Sequence, residues 1–165
     1  MTAAEIRTHI DPMRPEFADQ RSLILPALRF AQREKGYLTL DDLEAVAEAT
    51  DLTPAYVEGV ATFYDRLYLR PVGRWVLSVC VTLPCMLRGC DELIDHLCDR
   101  LGVPPGGTTE DGLFTLQEAQ CLGACDRAPA IQVNAEDMLG PTTPEEADRL
   151  LERLREAPAP DAYVR

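Results

Sequence analysis

The chain lacks the short motifs through which many proteins bind nucleotides or exchange disulfides. No Gly-x-Gly-x-x-Gly run follows a predicted strand, which argues against a nicotinamide or flavin site encoded by a recognisable loop. No Cys-x2-Cys pair occurs, and this removes the dithiol that a thioredoxin-type exchange reaction requires. No apolar run approaches the ~18 residues needed to cross a bilayer, and the N-terminus has no apolar segment of the kind a secretory signal requires. We therefore expect a cytoplasmic protein.

Positive charge is also scarce. The formal net charge is −12, which argues against binding to nucleic acid, because lysine and arginine must release counterions from the phosphates. With 165 residues and 46% hydrophobic content, the chain is long enough for one large or two small domains with an ordinary core. In a reducing cytosol, its six cysteines are expected to be metal ligands or buried thiols rather than disulfides.

Four of these cysteines form two spaced pairs, Cys80-x4-Cys85 and Cys121-x3-Cys125, which we interpret as one metal site. Structural zinc sites usually use Cys-x2-Cys loops that turn tightly around a single ion. A [2Fe–2S] cluster is wider because each of its two irons takes two thiolates, so the longer loops favour a cluster. A zinc site is the alternative that the spacing leaves open.

The remaining cysteines and the two histidines are weaker candidates for ligands. Cys90 and Cys98 fall on one apolar stripe with the spacing of a buried helix face, so we interpret both as core residues. A redox role, or a role as alternative ligands, is the other interpretation. His96 is expected on a solvated surface and His9 in a mobile N-terminal segment, and neither is predicted to be a ligand.

The first part of the chain is predicted to consist of short helices. Apolar residues recur at helical spacing within 22–35, and Thr39 and Thr53 are predicted to cap two further helices. Leu40 and Tyr64 are expected on the buried faces of those two helices. Helices of this length are unstable alone, so they must pack on one another or on another surface.

A change of periodicity at residues 71–73 predicts a domain boundary. We divide the chain into an N-terminal helical docking region, a second domain and a C-terminal tail. The second domain reads as strand, helix, strand, strand, helix, which indicates a thioredoxin-like α/β layer and an α+β fold class overall. The three regions are 1–72, 73–157 and 158–165. The predicted strands are 75–79, 113–116 and 130–133, and the predicted helices are 86–101 and one that Thr143 caps.

Several runs, taken together and in order, closely resemble the family of small iron–sulfur subunits from the NADH-oxidising module of NADH-quinone oxidoreductases. The resemblance covers nearly the whole chain after about residue 15. The runs are GVATFY (59–64), PVG (71–73), CMLRG (85–89), FTL (114–116), CLGAC (121–125) and AP (128–129).

The resemblance implies an N-terminal helical region and a thioredoxin-like [2Fe–2S] ferredoxin domain. It implies one [2Fe–2S] cluster held by Cys80, Cys85, Cys121 and Cys125. It also implies a larger partner subunit that carries FMN and the NADH site, within the peripheral arm of respiratory complex I on the cytoplasmic side of the inner membrane. The chain would then serve as an electron-transfer subunit of an enzyme, without an NADH or flavin site of its own.

Residues around the predicted cluster are expected to tune it. Small residues at Gly123 and Ala124 are expected to bring backbone N–H groups close to the sulfurs, and Arg88 and Arg127 to add positive charge. Ordinary surface charge is the other interpretation of the two arginines. Leu83, Leu122 and Pro129 are expected to cover the cluster.

Other functions stay open at this point. One is the homologous small subunit of an NAD-dependent formate dehydrogenase or an NAD-reducing hydrogenase. Others are a stand-alone thioredoxin-like ferredoxin and a zinc-stabilised interaction module.

Overall fold

The computed structural model describes residues 1–158, which form two compact units. The first unit is Met1–Pro71 and the second begins at Val72. Each unit has its own cluster of buried apolar side chains. Within residues 1–158, no helix is both long enough and apolar enough to cross a membrane.

Short helices build the first unit, and their threonine caps lie where the sequence predicts them. The side chain of Thr39 accepts a hydrogen bond from the Asp42 N–H, and the Asp42 carboxylate accepts one from the Thr39 N–H, which closes a capping box. Thr53 caps the next helix, because its side chain accepts a hydrogen bond from the Tyr56 N–H. The α-helices are α1 (Ala3–Ile10), α2 (Ile24–Gln32), α3 (Leu40–Thr50) and α4 (Pro54–Phe63), and 3-10 turns span Asp11–Glu16 and Gln20–Leu23.

Two side chains that the sequence predicts in this core lie on its surface instead. Leu40 is 71% exposed, because it occupies the first helical position after its cap and points away from the buried face of α3. Tyr64 is 41% exposed, because the helix ends at Phe63 and Tyr64 has extended backbone angles. The helix predicted over 22–35 is also shorter, since its start is a 3-10 turn and it ends at Gln32.

The second unit is a four-stranded sheet with helices, and it confirms the predicted thioredoxin-like fold. The sheet order is β2-β1-β3-β4, with β1 parallel to β2 and the other neighbouring pairs antiparallel. The fourth strand is additional to those predicted. The strands are β1 (Trp75–Cys80), β2 (Phe114–Ala119), β3 (Ile131–Val133) and β4 (Asp137–Leu139), and the helices are α5 (Leu83–Leu87), α6 (Cys90–Leu101) and α7 (Pro144–Glu156).

The central strand β1 is held firmly in place. All six of its residues are buried. The Trp75 indole Nε1–H donates to the Leu154 carbonyl oxygen of α7 at 2.9 Å, and the Val76 N–H donates to the Asn134 side chain at 2.8 Å. At Gly73 a Cβ would lie 2.6 Å from the Phe114 carbonyl carbon, so only glycine allows the chain to enter β1 this close to β2. These contacts fix the point at which β1 delivers Cys80.

Candidate metal centre

The two cysteine pairs follow two neighbouring parallel strands. Cys80 is the last residue of β1, and its partner in the parallel register is Ala119, the last residue of β2. Cys121 comes two residues after Ala119. Because the carboxyl ends of parallel strands meet at one edge of a sheet, both cysteine loops begin at the same place. The fold therefore starts at one edge of the sheet two cysteine loops that are far apart in the sequence.

The first loop turns immediately after β1 into the short helix α5. The Val81 N–H donates to the Ala119 carbonyl oxygen at 3.0 Å, so the register with β2 continues one residue beyond Cys80. The Cys85 N–H donates to the Thr82 carbonyl oxygen at 2.8 Å, which places Cys85 inside the single turn of α5.

The predicted continuous helix over 86–101 is wrong at its start. Gly89 has a φ of 91°, in the left-handed region, and this interrupts the helical path between α5 and α6. Cys85 consequently lies in its own short turn rather than at the N-terminus of the long helix.

The second loop contains Cys121 and Cys125, both exposed. Gly123 has a φ of 70°, and Cys125 begins a 3-10 turn, Cys125–Arg127, that is closed by the Arg127 N–H donating to the Ala124 carbonyl oxygen at 3.1 Å. A neighbouring segment packs closely under this turn. A Cβ at Gly140 would overlap the carbonyl oxygen of Arg127 and would lie 2.9 Å from that of Pro129.

Backbone groups are directed at the first pair of thiols. Burial by itself raises the pKa of the Cys80 thiol, but hydrogen bonds from the backbone N–H groups of Thr82 and Leu122 outweigh it and hold the pKa below its usual value. Burial raises the pKa of Cys85, although its sulfur accepts a hydrogen bond from the Ala130 N–H. Neighbouring sulfurs at Cys80 and Cys125 raise it further, and a bound cation would remove that repulsion.

The structure thus brings some of the four predicted ligands together more closely than others. The thiols of Cys80 and Cys85 share a hydrogen bond, and Cys125 is near enough to act on Cys85 electrostatically. Cys121 is exposed on the second loop. Within residues 1–158, no group of three or more histidine, cysteine or acidic side chains has the close arrangement of a metal site.

The donor set itself fits an iron–sulfur cluster. All four cysteines are free thiols, and thiolates are the usual ligands of such clusters. Backbone N–H groups aimed at sulfur stabilise the thiolate form and the negative charge of a cluster.

Cys90 and Cys98 lie on α6, as their spacing predicts, and both have environments that favour the neutral thiol. Cys90 is fully buried, and burial together with the Asp91 carboxylate raises its pKa to about 11. Cys98 is half-buried, and burial and the Asp95 carboxylate raise its pKa.

The histidines lie in more ordered surroundings than the sequence predicts. His9 belongs to α1 and stacks on Phe30 with ring centroids 4.0 Å apart, so the expectation of a mobile segment is wrong. His96 is not simply solvated, because its Nε2 lies 3.0 Å from Asp148 Oδ1, which also accepts from Arg100 Nε at 2.7 Å. Each histidine has a structural partner within its own unit.

The sequence does not reveal every backbone group that acts on the thiols. Backbone hydrogen bonds from Thr82, Leu122 and Ala130 act on the sulfurs of Cys80 and Cys85. The approach of the Gly123 and Ala124 N–H groups to sulfur stays a prediction. No local sequence signal identifies Ala130, because it reaches Cys85 only through the pairing of β1 with β3.

Arg127 pairs with Asp126 at 3.2 Å on the protein surface, so much of its charge is balanced locally. Leu83 is exposed, as are Met86 and Leu87 on the same short helix, and its position over a bound cluster stays a prediction. An open groove of about 480 Å³ lies beside Cys125 and Leu87.

Known proteins share this sequence and fold. The profile of the thioredoxin-like [2Fe-2S] ferredoxin family matches residues 10–155. NADH-quinone oxidoreductase subunit 2 of Thermus thermophilus is 43% identical over 82% of this chain and 75% of its own length. An NADH-quinone oxidoreductase subunit of Rhizobium meliloti is 41% identical over 92% of this chain and 90% of its own length.

Among solved structures, an NAD+-reducing [NiFe]-hydrogenase in the H2-reduced state superposes with a TM-score of 0.71 at 25% identity. The match covers 82% of this chain but only 22% of the hydrogenase chain, so the same fold is there one part of a much longer polypeptide. The family match extends over most of the chain and includes both cysteine loops and the sheet that positions them. The chain belongs to the thioredoxin-like [2Fe-2S] ferredoxin family.

Proposed function

We propose that Cys80, Cys85, Cys121 and Cys125 hold one [2Fe–2S] cluster through which this chain transfers single electrons in the NADH-oxidising module of an NADH-quinone oxidoreductase. The observation that supports the assignment most strongly is the parallel pairing of β1 and β2, which starts both cysteine loops at one edge of the sheet. The core positions of Cys90 and Cys98 on α6 support their exclusion from the ligand set.

When bound, a [2Fe–2S] cluster with four thiolates accepts and releases one electron at a time. The residues of the chain would do two things around it. The N–H groups of Thr82, Leu122 and Ala130 would stabilise negative charge on sulfur, and the buried strand β1 would keep water from one side. The net charge of −12 acts in the opposite direction, because it makes the addition of an electron less favourable. We expect a low reduction potential.

The electron partner in this proposal is the FMN of a larger subunit that also binds NADH. The similarity to subunits of NADH-quinone oxidoreductases supports such a complex, and the chain would lie in its peripheral arm on the cytoplasmic side of the membrane. The likeness to an NAD+-reducing hydrogenase favours a second candidate, the corresponding subunit of such a hydrogenase. The two differ in partners rather than in the four cysteines.

The test is to purify the chain anaerobically and to measure iron, acid-labile sulfide, visible absorption and the electron paramagnetic resonance of the reduced form. We expect about two irons and two sulfides per chain and a signal for one unpaired electron on reduction. A colourless protein with one zinc per chain would refute the cluster and support the zinc module. Isolation from the native host then identifies the complex. Co-purification with quinone-reductase subunits supports the main proposal, and co-purification with a nickel–iron subunit supports the second candidate.

A further inference from the structure

Helix α4 has two apolar faces, and its own chain covers the second one only in part, because Val60 packs against the core of the first unit while its neighbours on that face are exposed. Val57 and Ala61 are fully buried in the core of the first unit. Tyr56, Val60 and Phe63 follow the spacing i, i+4, i+7 on another face, where Phe63 is 79% exposed and Tyr56 is 44% exposed. We refer to Tyr56, Gly59, Val60 and Phe63 as the outer face of α4. A single exposed apolar residue needs no explanation, but a stripe of this kind indicates an interaction surface.

A groove runs along this outer face. It has a volume of about 380 Å³, and its other wall is the start of α2, including Ile24 and Leu25. Arg21 also lines the groove, but its guanidinium pairs with Asp19, so the lining carries little net charge. A groove of this composition fits an apolar helix better than a charged ligand.

Gly59 lies in the middle of this face, and the first unit gives no reason for it. Its φ is outside the left-handed region, and a Cβ placed there would meet nothing within 4 Å. Glycine inside a helix costs stability relative to alanine. Neither backbone conformation nor internal packing offsets that cost within the first unit. A close approach by the backbone of another molecule would offset it, because the missing side chain lets a second helix pack directly on α4.

We propose that the outer face of α4 is the docking site for an apolar helix of the flavin- and NADH-binding subunit, packed across Gly59 between Tyr56 and Phe63. The identity of the partner rests on the proposed function. The chain carries a net charge of −12, which favours a partner helix flanked by lysine or arginine.

The negative net charge of the chain argues against two other occupants of the outer face of α4. A second copy of this chain would bring together two molecules of net charge −12, which repel each other. An anionic membrane surface would repel the chain for the same reason. A protein partner with a basic rim would be attracted by the negative charge that repels a second copy of the chain and an anionic membrane.

Two variants of the full-length chain with its cluster test the proposal. Gly59→Leu adds a side chain in open space and improves helix propensity, so the melting temperature should stay the same or rise. Its affinity for the flavin- and NADH-binding subunit, measured by titration calorimetry, should nevertheless fall by at least about tenfold. Phe63→Ser should weaken binding by a similar factor. Leu40→Ser is the matched control, because Leu40 is 71% exposed in the same unit but lies on α3; its affinity should equal that of the wild type.

The outcomes separate the docking face from the proposed function. If the wild type binds the flavin- and NADH-binding subunit and both variants bind it with the same affinity, the docking face is wrong although the function stands. If the wild type carries the cluster but does not bind that subunit, the proposed function is wrong and this inference with it. If sedimentation shows that the chain alone forms a dimer, and that Phe63→Ser abolishes the dimer, the occupant is a second copy and the assignment is overturned.

Discussion

Replacing Cys85 or Cys121 by serine should abolish or greatly reduce the visible absorption of the purified chain, whereas replacing Cys90 by alanine should preserve it. The comparison between Cys85 and Cys90 is the sharpest one available, because the two thiols are only five residues apart and both are buried. The x4 spacing that links Cys80 to Cys85 also links Cys85 to Cys90. Spacing alone therefore does not distinguish a ligand such as Cys85 from a non-ligand such as Cys90. The surroundings of each thiol in the structure have to distinguish them.

Burial raises the pKa of both thiols, but the two sites differ in the charges that oppose the thiolate form. Burial and the Asp91 carboxylate raise the pKa of Cys90 to about 11, so its deprotonation at pH 7 costs about 5 kcal/mol. The Asp91 carboxylate would still oppose a thiolate at Cys90 after a cation had bound to the other cysteines. At Cys80, by contrast, N–H groups lower the pKa, and at Cys85 part of the opposing charge comes from sulfurs that would themselves be ligands. Loss of the Cys90 sulfur from the core should cost about 1 kcal/mol, or about 2–4 °C in melting temperature.

The assay combines iron content, absorption and electron paramagnetic resonance with thermal unfolding of each variant. Cys98→Ala is a second control, because Cys98 lies on the same helix and is half-buried. The ligand assignment would be refuted if Cys90→Ala lost its iron while its melting temperature stayed near the wild-type value. Retention of a full cluster by Cys85→Ser would refute it equally.

Further predictions concern the two units and the loops. A chain that begins at Val72 should keep the cluster spectrum but lose stable binding to its partner, and loss of the cluster together with the helices would show that the two regions depend on each other. The isolated full-length chain should neither bind FMN nor oxidise NADH, and stoichiometric flavin on it would contradict this directly. Gly140→Ala should reduce both thermal stability and cluster content, by about 2–3 kcal/mol of unfolding free energy, because its Cβ would overlap the carbonyl oxygen of Arg127. Gly102→Ala, at an open helix end, should cost only about 1 kcal/mol and leave the cluster content unchanged.

Features that depend on neighbouring residues could be predicted from the sequence. The threonine caps at Thr39, Thr53 and Thr143 follow from a local hydrogen bond between a side chain and a backbone N–H three residues later, and all three are present. The buried strand β1 follows from an unbroken apolar run, and the apolar stripe of α6 from its helical period. The same period correctly places Cys90 in the core and Cys98 against it.

Features that depend on distant residues could not be predicted in this way. β4 has only three residues and begins with Asp137, and it is a strand only because it pairs with β3. The N–H of Ala130 reaches the Cys85 sulfur only after β3 has paired with β1. The interruption at Gly89 depends on a left-handed backbone that an apolar period does not reveal.

The error on α4 has a different origin. The sequence predicts Tyr64 on the buried face of this helix, yet the structure buries only Val57 and Ala61 completely and leaves Tyr64 partly exposed. Apolar periodicity shows that a helix face avoids water, but not whether its own chain or another molecule covers that face. An intermolecular contact explains two features of such a helix. One is an apolar surface wider than the core of its own chain can cover, and the other is a glycine that its own chain does not require. Tyr64 lines the groove along the outer face of α4, so its exposure agrees with the proposal that a partner covers this surface.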